Sequence, residues 1–177
     1  MEVLKKNFKL KALEEDSGYH FEGYGSTFGN VDRDGDIMEK GCFDKSLKAS
    51  NSVPMCFNHN QNIVLGRFDL ETDEKGLLVK GFFNLNDPEA KKAYDLMKMG
   101  ALDSFSIGFI VKDYETIDNK SMYSGVKIKE AELLETSIVT VPANPSATVS
   151  AVKSLDIANT IKKEFDKQEL IKKLEGI

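Results

Sequence analysis

Three segments of this sequence carry residues able to do chemistry. The first is Ser104-Phe105-Ser106-Ile107-Gly108-Phe109-Ile110-Val111, read as a strand. Alternation puts Phe105, Ile107, Phe109 and Val111 on one apolar face, and Ser104, Ser106 and Gly108 on the other. A face of such small residues lets something approach the backbone closely, either another element of the protein or a substrate. The second segment is Val53-Pro54-Met55-Cys56-Phe57-Asn58-His59. Its histidine continues the apolar face of Val53, Met55 and Phe57, pointing inward at the end of a buried stripe beside Asn60-Gln61-Asn62. That placement suits a hydrogen-bonded core histidine, and it equally suits a general base with its body packed and its tip at a cleft. The third segment spans residues 130–141. Glu135 is the lone charge on the face Ala131, Leu133, Glu135, Ser137, Val139 and Val141, and a buried carboxylate needs a partner. It either orients a histidine or pairs with a cation such as Arg67. Glu132, on the mixed face, reaches water.

Scarcity narrows the chemistry. The 177 residues include two histidines, His20 and His59, and two cysteines, Cys42 and Cys56. Two cysteines in so long a chain rule out a disulfide scaffold, and the ligand supply rules out multi-site zinc modules. Cys56 and His59 are three apart and fall on opposite faces of a regular strand, which argues against a Cys/His dyad or a zinc site. His20 sits early in a strand with no reactive neighbour in sequence. Asn30-Val31-Asp32-Arg33-Asp34-Gly35-Asp36 mimics the start of a calcium loop, but the twelfth position is Gly41 rather than glutamate, which favours a polar turn. No metal and no cofactor is expected.

Bulk properties exclude further classes. The formal charge is −5, with 41% hydrophobic and 30% charged residues, an ordinary globular composition. An acidic chain lacks the clustered basic face that nucleic acid demands. No apolar run approaches the ~18 residues of a membrane span, and the charged N-terminal stretch does not read as a signal peptide. A cytosolic protein with reduced thiols is the expectation, folded as one domain or as one domain with a tail.

The elements that must position these residues are mostly strands. Alternation and turn signals predict strands at 19–27, 53–59, 63–70, 77–84, 104–114 and 132–141, with a weaker one at 125–129. The polar turn at 72–76 predicts a hairpin. A short helix is predicted at 42–49, with Phe43 and Leu47 one turn apart. The clearest helix has Asp87 as N-cap, Pro88 at its first position and Gly100 as its stop, with Ala90, Ala93, Tyr94 and Met97 as its apolar stripe. After the breaker Pro142-Ala143-Asn144-Pro145, residues 153–176 read as helical, broken near Phe165.

Four stretches, in order, resemble the prohead proteases of tailed bacteriophages, the serine proteases of capsid maturation. They are Phe28-Gly29-Asn30-Val31-Asp32 with Gly35-Asp36; Asn58-His59 with Gly66-Arg67-Phe68; Ser106-Ile107-Gly108-Phe109; and Glu132-Leu133-Leu134-Glu135-Thr136-Ser137-Ile138-Val139 running into Pro142-Ala143-Asn144-Pro145. The resemblance implies an α+β fold like that of herpesvirus maturation proteases: a small, mostly antiparallel β-barrel with packed helices over residues 1–150, then a helical C-terminal extension over 151–177. It implies a serine endopeptidase with Ser106 as nucleophile and His59 as base. Herpesvirus enzymes use a second histidine as third member; His20 is not in a matching place, so an acid is implied, Glu135, with Glu132 as the alternative. Family members often have Gly-Leu before the nucleophile where this chain has Ser104-Phe105, which makes Ser104 the alternative nucleophile.

Further expectations rest on the same resemblance. Arg67 is the side-chain candidate for holding the oxyanion. The small face at Ser106 and Gly108 is where an extended peptide would lie. Major capsid protein and scaffold segments, and the chain itself, are the implied substrates, inside assembling procapsids in the bacterial host cytoplasm. The extension would direct the enzyme into the shell or be removed by self-cleavage. Neither nucleic acid nor membrane is implied as a partner, and a homodimer follows by analogy with the herpesvirus enzymes. The competing reading is a catalytically inactive capsid-assembly or scaffolding module on the same barrel.

Overall fold

Local chemistry accounts for most elements of the computed structural model, which describes residues 20–117 and 125–152. Strands β1 (Phe21–Thr27) and β2 (Ile37–Met38) precede helix α1 (Asp44–Ala49). Strands β3 (Ser52–Phe57), β4 (Asn60–Thr72) and β5 (Gly76–Phe83) follow, then helix α2 (Pro88–Lys98). Strands β6 (Ser104–Thr116), β7 (Val126–Val139) and β8 (Val149–Val152) complete the described chain. Helix α2 forms as its caps dictate: the Asp87 side chain accepts from Glu89 N–H and Ala90 N–H, and Ala90, Ala93, Tyr94 and Met97 are its buried stripe. The β4–β5 turn closes on Asp73, whose Oδ1 accepts from Lys75 N–H at 2.7 Å and Gly76 N–H at 3.0 Å. The two β segments expected at 125–129 and 132–141 are one strand, β7.

All eight strands share one sheet, in the order β2-β7-β3-β4-β5-β1-β8, with β6 on the other edge of β7. The expectation of a mostly antiparallel barrel holds in part: among the described residues five of the seven strand pairings are antiparallel. The sheet is mixed, because β7 runs parallel to both β2 and β3 while pairing antiparallel with β6. Long connections through α1, α2 and the β3–β5 meander permit those parallel pairings, and no local signal announces them. The sheet curls into a half-barrel. At its open side Phe105 N–H donates to Ala147 O and Val149 N–H donates to Asp103 O, both at 2.9 Å. These bonds join the start of β6 to the segment that enters β8. Strand β8 crosses the expected boundary at residue 150, and the expected helices at 153–176 lie outside the described residues.

The concave side is filled with aromatic rings. Phe21, Phe68 and Phe105 are fully buried, with ring centroids 5.6, 5.7 and 5.8 Å apart. Phe68 reaches that core because Gly66 lets β4 press against β5: a Cβ at Gly66 would lie 1.9 Å from Phe82 O.

One contact outside the core makes stability pH-dependent. Tyr24 Oη donates to Asp73 Oδ2 at 2.6 Å. That bond is the main reason the Asp73 carboxyl is held below its usual range and the Tyr24 phenol is pushed up to about 12. The depressed carboxyl contributes stability that is lost as pH falls through its folded pKa. The raised phenol contributes stability that is lost as pH rises from ~10, its unfolded value, through about 12. Tyr24→Phe is therefore expected to cost under about 1 kcal/mol near neutrality, since the pair is exposed. Denaturation midpoints of the two proteins should converge at both pH extremes, and parallel curves across that range would refute the assignment.

Candidate active site

The histidine is presented by a turn rather than by a strand. Strand β3 ends at Phe57, which pairs with Asn60, leaving Asn58 and His59 as a two-residue hairpin loop. Both have positive φ, 48° and 59°, as a type I′ turn requires. Asparagine tolerates that conformation; a histidine there is strained and must be held by its surroundings. Strand β7 holds it. Asn58 N–H donates to Ile138 O at 3.0 Å, His59 N–H to Ser137 Oγ at 3.0 Å, and Thr140 N–H to Asn58 Oδ1 at 3.2 Å. The expectation that His59 continues the Val53–Met55–Phe57 face is thus corrected, and the predicted loop at 60–62 belongs to β4. The clue in the sequence is Asn58 itself, a residue suited to the first position of such a turn.

Pairing of β6 with β7 brings the other groups together. Ser106 is the register partner of Ser137, and Gly108 that of Glu135. Ser106, Gly108, Glu135 and Ser137 therefore share one face. Glu135 is 5% exposed, and both its oxygens are engaged. Its Oε1 lies 2.6 Å from His59 Nδ1, and its Oε2 accepts from Ser137 Oγ at 2.8 Å. An ionised carboxylate only accepts, so Nδ1 donates to it, and in the neutral imidazole Nε2 then presents its lone pair. Ser137 thus touches both the carboxylate and the turn, a contact that sequence reasoning missed because its alternation marks only a small residue on a buried face.

His59 and Ser106 line one cleft of about 220 Å³, with Ile107, Phe109, Ala143 and Asn144 among its walls. No hydrogen bond joins Ser106 Oγ to His59 among the described residues, and neither Ser106 Oγ nor His59 Nε2 has another partner there. Asp32, Asp34 and Asp36 also line the cleft. Asp32 Oδ1 accepts from Asp34 N–H and Asp36 N–H, each at 2.9 Å, and Asp36 Oδ1 accepts from Val126 N–H at 2.8 Å. The calcium-like run is a self-bonded polar turn, and burial raises the Asp32 carboxyl above its ordinary value. A larger depression of about 430 Å³ runs along α1 and the middle of β7. It holds neither Ser106 nor His59, so size does not mark the reactive place.

Other expected site residues lie elsewhere. Ser104 donates its Oγ to Asp103 Oδ1 at 2.7 Å, outside the cleft lining. Glu132 faces outward and pairs with Lys112 at 2.6 Å, one strand position out of phase with Glu135. Arg67 is corrected as an oxyanion candidate: it pairs with Asp69 and stacks over Phe82, 4.1 Å from the ring centroid, because alternation turns it outward next to buried Phe68. Gly108 is corrected as a substrate contact. A Cβ there would lie 2.5 Å from Glu135 Oε1, so its small size makes room for the carboxylate. His20 Nδ1 accepts from Phe83 N–H at 2.9 Å and its ring sits edge-on to Tyr94, away from the cleft. Cys56 pairs with Ser137 across β3 and β7 and is 1% exposed. Burial, and secondarily the charge of Glu135, pushes its thiol up, the opposite of what a thiolate nucleophile needs.

Comparison with known proteins gives a consistent pattern. A family model described as caudovirus prohead serine protease matches residues 6–163. The prohead protease of Enterobacteria phage HK97 is 37% identical over 147 residues, covering 80% of this chain and 64% of that protein's length. The prohead protease of Escherichia phage T5 is 30% identical over 154 residues, covering 83% of this chain and 70% of that protein. Among solved structures, that of the KSHV protease in complex with a hexapeptide phosphonate inhibitor superposes with a TM-score of 0.51 at 9% identity. The superposition covers 75% of this chain and 64% of that one, a likeness of fold alone.

Proposed function

This chain belongs to the caudovirus prohead serine protease family, and from that premise we propose that it is a serine endopeptidase cutting capsid-protein or scaffold segments inside the assembling procapsid. The observation that carries the reading is the Glu135–His59 bond at 2.6 Å in a cleft shared with Ser106. A buried carboxylate fixes the imidazole tautomer from one side and leaves Nε2 open to a hydroxyl on the other. Ser106 Oγ attacks the scissile carbonyl carbon while His59 Nε2 takes the hydroxyl proton. The proton then goes to the leaving amine, and water repeats the sequence on the acyl-enzyme. Glu135 stabilises the imidazolium without itself taking the proton.

An inactive assembly module would have no use for a strained histidine turn tied to a buried acid, a costly arrangement usually found where function requires it. The test is co-expression with the major capsid protein of the same phage, with intact mass measured on the assembled shells. A capsid protein shortened at one site is expected. Full-length capsid protein in shells that contain this chain would sink the reading.

A further inference from the structure

In the proposed reaction the carbonyl oxygen gains a charge, and two unclaimed donors lie in the same cleft as Ser106. The segment Pro142-Ala143-Asn144-Pro145 has two backbone N–H groups, since its end residues have none. Neither Ala143 N–H nor Asn144 N–H has an acceptor among the described residues. The next two amides are occupied: Ser146 N–H donates to Asn144 Oδ1 at 2.9 Å and Ala147 N–H to Asn144 O at 3.0 Å. Unpaired backbone donors in a folded wall are rare, and a ligand is the natural acceptor for them.

Their direction follows from the carbonyls. Arg33 N–H donates to Ala143 O at 3.0 Å, and Arg33 Nη1 donates to Pro142 O. In a planar trans peptide the N–H points opposite to the C=O. Pro142 O is paired in this sense with Ala143 N–H, and Ala143 O with Asn144 N–H. Because one residue claims both carbonyls, both N–H groups point away from Arg33. Both residues line the cleft that contains Ser106. The segment is rigid as well. Thr27 Oγ1 donates to Asn30 Oδ1, Asn30 Nδ2 to Asn144 Oδ1, and Asn144 Nδ2 back to Thr27 Oγ1, a closed ring around a side chain in a residue only 8% exposed.

We infer that the N–H groups of Ala143 and Asn144 receive the oxyanion, and that Arg33 is the positioning residue that aims them. The inference rests on the serine reading above. As Ser106 Oγ bonds to the carbonyl carbon, the C=O π pair moves onto oxygen, where the two amides meet it, and the hydroxyl proton goes to His59. When the C–N bond breaks, that pair returns to re-form C=O and the proton leaves with the amine. Donors fixed beforehand need no reorganisation at that moment, which is what makes them effective.

The test uses the full chain and a fluorophosphonate probe, whose phosphoryl oxygen takes the place of the carbonyl oxygen. Labelling of Ser106 is timed across pH. Arg33→Ala is expected to lower the plateau rate about 10–100-fold, a fraction of the loss for a deleted donor. The pH of half-maximal rate should stay in place, and Arg33→Lys should recover part of the rate by restoring a cation to Pro142 O. An unchanged plateau, or a displaced midpoint of the profile in its stead, would overturn the inference. Should Arg33→Ala fail to fold, replacing Ala143 by lactic acid removes its N–H and keeps its side chain. A loss of about 10²-fold is then expected, and a wild-type rate would be fatal. If the unaltered chain is not labelled at Ser106, the serine reading itself fails and takes this inference with it.

Discussion

Ser106→Ala is expected to lower cleavage of the capsid protein by about 10⁴–10⁶-fold while the chain still folds. The loss is large because neither Cys56 nor Ser104 can take over as nucleophile. Cys56 is buried with its thiol pushed up, and the Ser104 hydroxyl is spent on Asp103. The fold should tolerate the change because Ser106 Oγ has no hydrogen-bond partner among the described residues, so its removal strands no buried donor or acceptor. Ser104→Ala is the contrasting variant. It removes a hydrogen bond, at a cost of about 1 kcal/mol of stability, and should leave cleavage within a few-fold of wild type. Rates on co-purified capsid protein and circular dichroism of both variants check the pair. Cleavage that survives Ser106→Ala but disappears in Ser104→Ala would move the nucleophile two residues back along β6.

Glu135→Gln is expected to cost about 10⁴-fold in rate. Size and shape hardly change, but the acceptor-only carboxylate becomes an amide that offers its NH₂ to Nδ1. His59 can then adopt the tautomer that carries its proton on Nε2, where it cannot take one from Ser106. Ser137 Oγ still occupies the other oxygen at 2.8 Å, so the side chain stays in place and the loss reports proton handling rather than collapse. Glu132→Gln severs only the exposed pair with Lys112, which is 2.6 Å long, and should change neither rate nor stability beyond about 0.5 kcal/mol. Single-turnover rates of the two variants at one pH discriminate between the acids. Wild-type cleavage by Glu135→Gln beside a dead Glu132→Gln would reassign the third position.

Both predictions rest on strand alternation that can be read in the sequence. The small face of Ser104, Ser106 and Gly108 is legible because a strand alternates every two residues, and β6 obeys that rule through Gly108. From Ile110 onward both faces of β6 are exposed, and Val111, expected in the core, is 40% exposed with them. Glu135 is legible as a buried acid in need of a partner for the same reason. Helix α2 is legible from its caps, which act within four residues. His59 was legible as a candidate base but not as a turn residue: the apolar rhythm of β3 runs up to it, and the two positive φ values become tolerable only when β7 supplies two hydrogen bonds and Thr140 just after it a third.

Residue order by itself determines the family, the local elements and the short roll of groups able to react. Each follows from side-chain chemistry acting over a few neighbouring positions, or from motifs kept in order along the chain. The tertiary structure alone decides which of those groups meet. His59 and Glu135 are 76 residues apart in sequence, and Arg33 and Pro142 are 109 apart. The parallel alignment of β3 with β7 and the docking of the Asp32–Asp36 turn against the Pro142–Pro145 segment bring them together. Arg67 is carried to the outer face and Gly108 is covered by Glu135 for the same reason. A residue's propensities are set by its neighbours in sequence. The register between distant strands is set by the packing of the whole sheet, and no window along the chain contains it.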